Sequence, residues 1–364
     1  MKIALLVAPV EHGYSFLNQA NGLAKGFVAL KIDHRIFRAD QKDIDALLEN
    51  FNPTLVISVG DWHDFSLLVE RPQSLGYTTI PWLVADGEGA QFIAHYNRLS
   101  CIITPSAHAK KVFISQGIKP DILTVVHEAV DPELWQSLPA SRLKQFLRLV
   151  SPSQSGFDLP IGYDLVKARE NKVPILFTTG GDATSKGAQE VMRALAQLDP
   201  AIAWIYLIKT WPSIHSFRAA MEELKLAREL GITSRVRYMT GEFSQDFMRG
   251  LMSACDIYVA PSHQEGFGLP LVEAQMCGKP VISIAAHATQ ETVLPGETGF
   301  LVQPHQTSAG IRADIADLAK HLRILLTDGP LRQKIGSQAQ RQATQNFAPA
   351  VIAKKMVATI TPYC

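Results

Sequence analysis

Residues 256–285, DIYVAPSHQEGFGLPLVEAQMCGKPVISIA, contain the pattern that decides the fold. The β-branched runs DIYVAPS and PVISIA predict two buried strands, and LPLVEAQMC between them predicts a helix that begins at about Leu269. Two strands joined by a helix in this way form a right-handed βαβ unit with parallel strands. The glycine-rich turn SHQEGFG therefore connects the end of a strand to the start of a helix.

The same alternation of strands and helices recurs along the whole chain. The predicted strands are KIALLVA, TLVISVG, TIPWLVA, CIITPS and ILTVVH in the first half, and PILFTTG, AIAWIYLI, VRYM, DIYVAPS, PVISIA and GFLV in the second. In the first half the predicted helices lie near residues 17–30, 42–50, 88–97 and 106–117. Two separate runs predict an α/β protein with two doubly wound, Rossmann-like domains that face each other across a cleft.

A break in this pattern predicts the domain boundary. Residues 151–164, SPSQSGFDLPIGYD, are rich in Ser, Pro, Gly and Asp and lack periodicity. We therefore expect an N-terminal domain at residues 1–160 and a C-terminal domain at residues 161–346. The segment FAPAVIAKKMVATI has the apolar pattern of a helix but follows the second sheet, so we expect residues 347–364 to pack back on the N-terminal domain.

Composition limits the classes of partner. The 364-residue chain has 35 Lys and Arg against 34 Asp and Glu, and 47% of its residues are hydrophobic, so no overall charge attracts nucleic acid or anionic lipid. The four cysteines have no metal-ligand spacing, which favours free thiols in a reducing compartment. No secretory signal or membrane-spanning run is evident, and the expected compartment is the cytoplasm.

The turn that follows the strand DIYVAPS carries two carboxylates. Gly266 and Gly268 permit a close approach of a ligand to the backbone, and the start of the next helix offers N–H groups to an anion. Glu265 lies at the tip of the strand and Glu273 one turn into the helix, so each could accept hydrogen bonds from sugar hydroxyls. On spacing alone, a loop charge and a solvated helix position are equally good interpretations.

The wider sequence closely resembles glycosyltransferase family 4. Residues 236–304 resemble the donor-binding half of these enzymes in several motifs that occur in order: a helix ending in ACD, the block PS-x-x-EGFGLP-x-x-E, G-x-P-V, Glu291 and TGFLV. Weaker similarity extends to ILFTTGGDATSKG (175–187) and to the first-domain segments 102–118 and 124–135. The resemblance implies a retaining, GT-B-fold enzyme that uses a nucleotide-activated sugar.

The resemblance also implies roles for individual residues. Glu273 would bind the ribose hydroxyls of the nucleotide, and Glu265 the donor sugar. The backbone of Gly266, Phe267 and Gly268 would lie against sugar and phosphate. In the family, a Gly-Arg pair and a Lys-Gly pair hold the diphosphate; here the positions are Gly180–Gly181 and Lys186–Gly187, so the arginine is absent.

Lys209, at the end of the strand AIAWIYLI, is a candidate to replace the missing arginine, because the end of a neighbouring strand lies at the same edge of the sheet. An ordinary surface lysine is an equally good interpretation.

The first domain carries weaker candidates at its strand ends. Gly13 is what remains of the family's glycine-rich loop after the first strand. Asp86 occupies approximately the place where related enzymes have a histidine near the donor sugar, and His63 lies in the neighbouring loop. We expect both side chains to act at the site.

No cofactor is expected besides the donor substrate. No D-x-D pair follows a strand in the manner of metal-dependent transferases, so no metal is required. Two other functions stay open, namely a non-catalytic sugar-nucleotide-binding or partner subunit and a phosphorylase or epimerase of the same architecture. The acceptor, whether saccharide, lipid or small molecule, is not specified by the sequence. HAKKVF (108–113) is a small cationic patch that is compatible with weak peripheral contact with a membrane.

Overall fold

The computed structural model describes residues 1–9, 14–84, 92–150, 161–181 and 185–364. They form two compact units, the first made of Met1–Asp131 and Gln345–Cys364 and the second of Pro132–Thr344. The units thus divide at Asp131, whereas the composition break predicts a boundary near residue 160. Residues 151–160 of that break lie outside the described residues.

The first unit contains a six-stranded parallel sheet with helices. Its strand order is β2-β1-β3-β4-β5-β6. The strands are β1 (Lys2–Val7), β2 (Asp33–Arg38), β3 (Leu55–Gly60), β4 (Thr79–Leu83), β5 (Ile102–Thr104) and β6 (Leu123–Val125). The helices of the segment Met1–Asp131 are α1 (Tyr14–Ala29), α2 (Ile44–Phe51), α3 (Arg71–Ser74), α4 (Ile93–Tyr96) and α5 (Ala107–Ser115). Shorter helical turns occupy Trp62–Asp64, Ser66–Glu70 and Pro120–Ile122.

Strand β2 was not predicted from the sequence. It lies at the edge of the sheet, and its residues DHRIFR alternate between exposed and half-buried positions, with Phe37 alone buried. An edge strand with one solvated face lacks the continuous apolar run by which the buried strands are detected.

The second unit contains another six-stranded parallel sheet, in the order β12-β11-β10-β7-β8-β9. The strands are β7 (Ile175–Thr179), β8 (Ile205–Thr210), β9 (Val236–Thr240), β10 (Ile257–Val259), β11 (Val281–Ile284) and β12 (Gly299–Val302). This is the Rossmann order, in which the chain changes its direction of growth between the first and fourth strands, here β7 and β10. The predicted doubly wound fold is confirmed for both units.

The helices of the second unit surround this sheet. They are α6 (Ala140–Leu149), α7 (Ile161–Glu170), α8 (Ala188–Ala196), α9 (Ile214–Glu229), α10 (Gln245–Ala254), α11 (Leu269–Met276), α12 (Thr289–Thr292), α13 (Ile315–Thr327) and α14 (Gly329–Phe347), with a short helical turn at Thr233–Arg235. The last three residues of α14 belong to the first unit. Helix α6 belongs to this unit because Phe146 packs edge-to-face on Phe247 of α10, with ring centroids 5.2 Å apart. That contact explains why the unit begins before the composition break.

An antiparallel hairpin interrupts the alternation after β12. It consists of β13 (Pro304–Thr307) and β14 (Gly310–Ala313) and was not predicted, because its residues PHQTSAGIRA have no apolar run. The hairpin connects β12 to α13, which packs against α8.

The last helix, α15 (Pro349–Ile360), belongs to the first unit, as predicted for the C-terminal segment. It packs against α1 at Gly26, where a Cβ atom would lie 2.2 Å from the carbonyl oxygen of Pro349 and 2.6 Å from Ala353 Cβ. Only glycine permits this approach of the two backbones. A short helical turn at Thr361–Tyr363 follows. None of the described helices combines the length and apolarity needed to cross a membrane.

Candidate functional site

Two loops of the second unit bring the predicted site residues together. The loop after β7 leads to Lys186 and the loop after β10 to Glu265, and these two strands are neighbours where the strand order reverses. The Nζ atom of Lys186 donates a hydrogen bond to Glu265 Oε2 at 2.6 Å. The side chains are only 16% and 13% exposed, so this ion pair is largely shielded from water. Ligands of doubly wound proteins bind at such a switch point, beyond the carboxyl ends of the strands.

Further contacts hold the two loops against each other. The Ser262 hydroxyl donates to Glu265 Oε2 at 3.1 Å, and the His263 N–H donates to the Ser185 carbonyl at 2.8 Å. Ser185 has a φ of 58°, in the left-handed region that a serine seldom adopts. A Cβ atom at Gly187 would lie 2.6 Å from the Pro261 carbonyl oxygen, so glycine is required there. The pair of loops is therefore packed as one structure.

Both loops end at helix N-termini. Helices α8 and α11 begin after Gly187 and Gly268, whose φ values are 72° and 97°. Because the N-cap residue is glycine, it offers no side-chain acceptor to the first-turn N–H groups, which carry partial positive charge. The side chain of Phe267 is buried and anchors the turn of Gly266–Gly268. Lys186 lies just before the N-terminus of α8.

Glu273 lies in the second turn of α11 and is half-buried. Its carboxylate makes no hydrogen bond or ion pair with any residue in the described ranges, and burial raises its pKa to about 8. Burial also raises the pKa of the Tyr258 hydroxyl, and the negative charges of Glu265 and Glu273 raise it further. Both carboxylates therefore lie near Tyr258 on β10, although they differ in their hydrogen bonding.

The structure explains the glycines at the position where the family has an arginine. Gly180 and Gly181 both have positive φ values, 104° and 55°. A Cβ atom at Gly181 would lie 3.0 Å from Oε1 of Glu223, a fully buried carboxylate that accepts a hydrogen bond from the Tyr238 hydroxyl. An arginine at position 181 would have to adopt an unfavourable left-handed backbone conformation, and Glu223 would have to shift by a few tenths of an ångström.

Lys209 lies beside this loop, near the carboxyl end of β8. Its carbonyl oxygen accepts a hydrogen bond from the Gly180 N–H at 2.6 Å. The residue is 3% exposed, which argues against an ordinary surface lysine. Its Nζ atom lies 3.7 Å from the ring centroid of Trp211 and 5.8 Å from that of Phe243. Burial lowers its pKa to about 8, against an opposing effect of Glu242, and no carboxylate of the described residues forms an ion pair with it.

Of the three candidate residues in the first unit, the structure describes only His63. His63 is exposed, stacks on Trp62 at 3.4 Å between ring centroids, and lies with Nδ1 3.1 Å from Asp61 Oδ1. It thus follows β3 at the carboxyl edge of the first sheet. Gly13 and Asp86 lie outside the described residues, so their roles stay predictions.

Sequence reasoning missed a charged triad behind the site. Glu190 Oε1, on α8, lies 3.0 Å from His263 Nε2 and 3.6 Å from Arg312 Nε, on the hairpin strand β14. Burial acts to raise the pKa of Glu190, but His263 and Arg312 outweigh it, and the pKa lies below its ordinary value. His263 and Ser262 could have been singled out from their places in the PS-x-x-E block, but no local signal marks Glu190 or Arg312. Among the described residues, no three His, Cys, Asp or Glu side chains come together as metal ligands.

Comparisons with known proteins find glycosyltransferases of similar sequence. The chain is 28% identical over 284 residues to D-inositol 3-phosphate glycosyltransferase of Mycobacterium tuberculosis (strain ATCC 25618 / H37Rv). This match covers 74% of the chain. The same enzyme of Mycobacterium bovis (strain ATCC BAA-935 / AF2122/97) is equally similar. The chain spans about half the length of these curated relatives, since the match covers 52% of each.

Solved structures share the fold. Anabaena HepE, solved in complex with UDP and glucose, superposes with a TM-score of 0.77 at 19% identity, with 100% of both chains covered. Sucrose-phosphate synthase from Thermosynechococcus elongatus gives a TM-score of 0.75 at 17% identity, covering 100% of this chain and 99% of the other. A family model described as "Glycosyl transferases group 1" matches residues 166–342, most of the second unit. In these residues, the second unit is similar to the glycosyl transferases group 1 family.

Proposed function

We propose that the protein is a retaining glycosyltransferase that moves a sugar from a nucleotide-diphosphate donor to an acceptor hydroxyl. The observation that carries the proposal is the ion pair of Lys186 and Glu265 at the switch point of the second sheet, next to the N-termini of α8 and α11. This arrangement combines a cation, helix N–H groups and a carboxylate, which suits a ligand with a negative phosphate end and a hydroxylated sugar end.

Lys186 can serve both ends of such a ligand. An ammonium has three N–H donors, and the described contacts use one of them, toward Glu265. The remaining two can donate to phosphate oxygens. A hydrogen bond to a charged group contributes about 1.5–3 kcal/mol, whereas a helix N-terminus contributes about 0.3–1 kcal/mol. Lys186 would thus supply the larger share of stabilisation for the diphosphate as it leaves.

The two glutamates would bind hydroxyl groups rather than transfer protons. Glu265 would accept hydrogen bonds from the donor sugar while it holds Lys186. Glu273, which has no hydrogen-bond partner in the described residues, would accept from the ribose hydroxyls. In a retaining reaction without an enzymatic nucleophile, the leaving phosphate would take the proton of the acceptor hydroxyl. No metal is part of the proposal.

Lys209 would supply the second cation. It is buried without an ion-pair partner in the described residues, and burial of an unpaired charge costs several kcal/mol. Contact with an aromatic ring returns only about 0.5–2 kcal/mol. An anionic ligand at the neighbouring Gly180–Gly181 loop would offset the rest. The arginine that the positive φ of Gly181 disfavours would then be replaced by a lysine on the adjacent strand.

The relatives support the donor class. The curated relatives are named as glycosyltransferases, and HepE was solved with UDP and glucose. A uridine diphosphate sugar is therefore the first donor to test, followed by GDP- and ADP-sugars. The acceptor is left unspecified.

Thermal unfolding tests donor binding, and product analysis tests the reaction. We expect one class of nucleotide sugar to raise Tm; ligand at 100 times its Kd stabilises the folded state by about 2.7 kcal/mol. Lys186→Ala should abolish that increase. Lys334→Ala removes an exposed lysine of α14 that has no described contact, and it should leave the increase intact. Incubation with candidate acceptors, followed by NMR of the anomeric proton, should show retained configuration.

Three results would count against the proposal. If no nucleotide sugar changes Tm, the proposed donor site is refuted. Binding without turnover on any acceptor would identify a sugar-nucleotide-binding subunit instead. A requirement for inorganic phosphate, or turnover without an acceptor, would identify a phosphorylase or an epimerase.

A further inference from the structure

A charged triad joins the hairpin β13–β14 to the loop that carries Glu265. The carboxylate of Glu190, in the first turn of α8, lies between His263 Nε2 at 3.0 Å and Arg312 Nε at 3.6 Å. All three side chains are largely buried, with exposed fractions of 13%, 17% and 26% for Glu190, His263 and Arg312. A carboxylate can only accept hydrogen bonds, so His263 donates through Nε2.

His263 connects this triad to the site through the backbone. Its N–H donates to the carbonyl of Ser185, the residue before Lys186, and Glu265 follows two positions later. A displacement of His263 would therefore move both partners of the Lys186–Glu265 ion pair. Ser185 is in the left-handed conformation where it accepts this hydrogen bond.

The charges make Glu190 the central member. Oε1 contacts both neighbours, whereas Oε2 is buried without a hydrogen-bond partner among the described residues. Such a carboxylate is stable only while His263 and Arg312 accompany it, because removal of one partner leaves charge uncompensated in a buried position. Arg312 is supplied by the hairpin alone, since it lies on β14.

We infer that Arg312 and Glu190 are positioning residues, through which the hairpin β13–β14 holds the loop of residues 262–265 in the geometry that binds the donor. They would touch neither donor nor acceptor. Their effect passes through His263 to the ion pair of Lys186 and Glu265. The kinetic consequence rests on the proposed function, whereas the order of the loop is a property of the ligand-free protein.

Hydrogen–deuterium exchange of the ligand-free protein tests the inference without reference to activity. In Glu190→Gln and Arg312→Ala, amides of residues 260–268 should exchange about 5- to 30-fold faster than in the wild type. This is the change expected when a few contacts that hold one loop are lost. Arg312→Lys keeps the positive charge beside Glu190 and should restore most of the protection. Arg323→Ala removes an exposed arginine of α13 without a described side-chain contact and is the matched control.

Donor kinetics provide the second measurement. If the triad positions the loop, both variants should raise the donor KM by about 10-fold with little change in kcat, because donor binding then has to order the loop. Faster exchange at residues 260–268 in an inactive protein would support the positioning role while the proposed function fails. Unchanged exchange at these residues in both variants would overturn the inference. Faster exchange spread evenly over the second unit would also overturn the inference, because it would show that the triad stabilises the whole unit rather than this loop.

Discussion

Substitutions of Glu273 should separate its effect on the stability of the second unit from its part in nucleotide binding. Burial raises the pKa of this carboxyl from 4.5 to about 8. The folded protein therefore binds a proton here that the unfolded chain releases between these pH values. The associated stability is fully present below pH 4.5 and is lost as the pH rises through 8. Glutamine has nearly the same shape and does not titrate.

The magnitude follows from the pKa values. Each pKa unit corresponds to about 1.36 kcal/mol, so ionisation of the buried Glu273 would cost at most about 5 kcal/mol. Glu273 is half-buried, and water reduces this to about 2–3 kcal/mol. In a unit of this size, 1 kcal/mol shifts Tm by about 2–4 °C, so Glu273→Gln should raise Tm by about 4–12 °C above pH 8. Near pH 5 the two proteins should unfold at similar temperatures.

Calorimetric unfolding between pH 5 and 9 measures this difference. Glu222→Gln, at an exposed position of α9 with no described contact, should behave as wild type at every pH. If glutamine at position 273 gives a Tm difference that does not change with pH, the explanation by burial is refuted. With donor present, Glu273→Ala should lose the ligand-induced increase in Tm, since it removes the acceptor for the ribose hydroxyls. An intact increase would refute the ribose assignment.

Three further substitutions test other parts of the structure. Lys209→Met should raise Tm at pH 7, because it removes a buried cation whose pKa burial lowers from 10.5 to about 8. The gain in Tm should shrink as the pH rises to 10.5, where the lysine is neutral in both the folded and the unfolded protein. Binding of a nucleoside diphosphate, measured by titration calorimetry, should weaken. Gly181→Arg should destabilise the unit by about 1–3 kcal/mol, because the left-handed backbone at this position disfavours a side chain and Glu223 has to shift; an unchanged Tm would contradict this. Gly26→Ala should cost about 1–3 kcal/mol by pushing α15 away from α1, and limited proteolysis should release the C-terminal segment faster; an unchanged cleavage rate would argue against the close contact at Pro349.

The central elements of the fold could be predicted because their signals are local. The six strands of the second sheet are buried apolar runs, and α11 begins at Leu269 as expected from the glycine-rich turn before it. Strand β2 and the hairpin β13–β14 were missed, because their residues face solvent on at least one side. Propensity for a strand is expressed in a sequence mainly through burial, and these elements lack it.

The candidate site could be predicted only in part. The block around Glu265 and the Lys186–Gly187 pair are recognisable motifs, but their contact joins residues 79 positions apart. The absence of an arginine at position 181 was visible in the sequence, whereas the left-handed backbone at Gly181 and its approach to Glu223 on α9 were not. The burial of Lys209 was not predicted either, because a lysine at a strand end has the same local sequence whether or not aromatic rings cover it.

The sequence by itself determined the alternation of buried strands and helices, the glycines of the turns and the resemblance to a known family, because these depend on residues that are close together along the chain. The tertiary structure decided which charges meet. It paired Lys186 with Glu265, linked Arg312 on the hairpin to Glu190 on α8, and left Glu273 and Lys209 without ion-pair partners in the described part of the chain. Charge pairing and burial depend on distances in space and on the exclusion of water, and segments far apart in the chain create both.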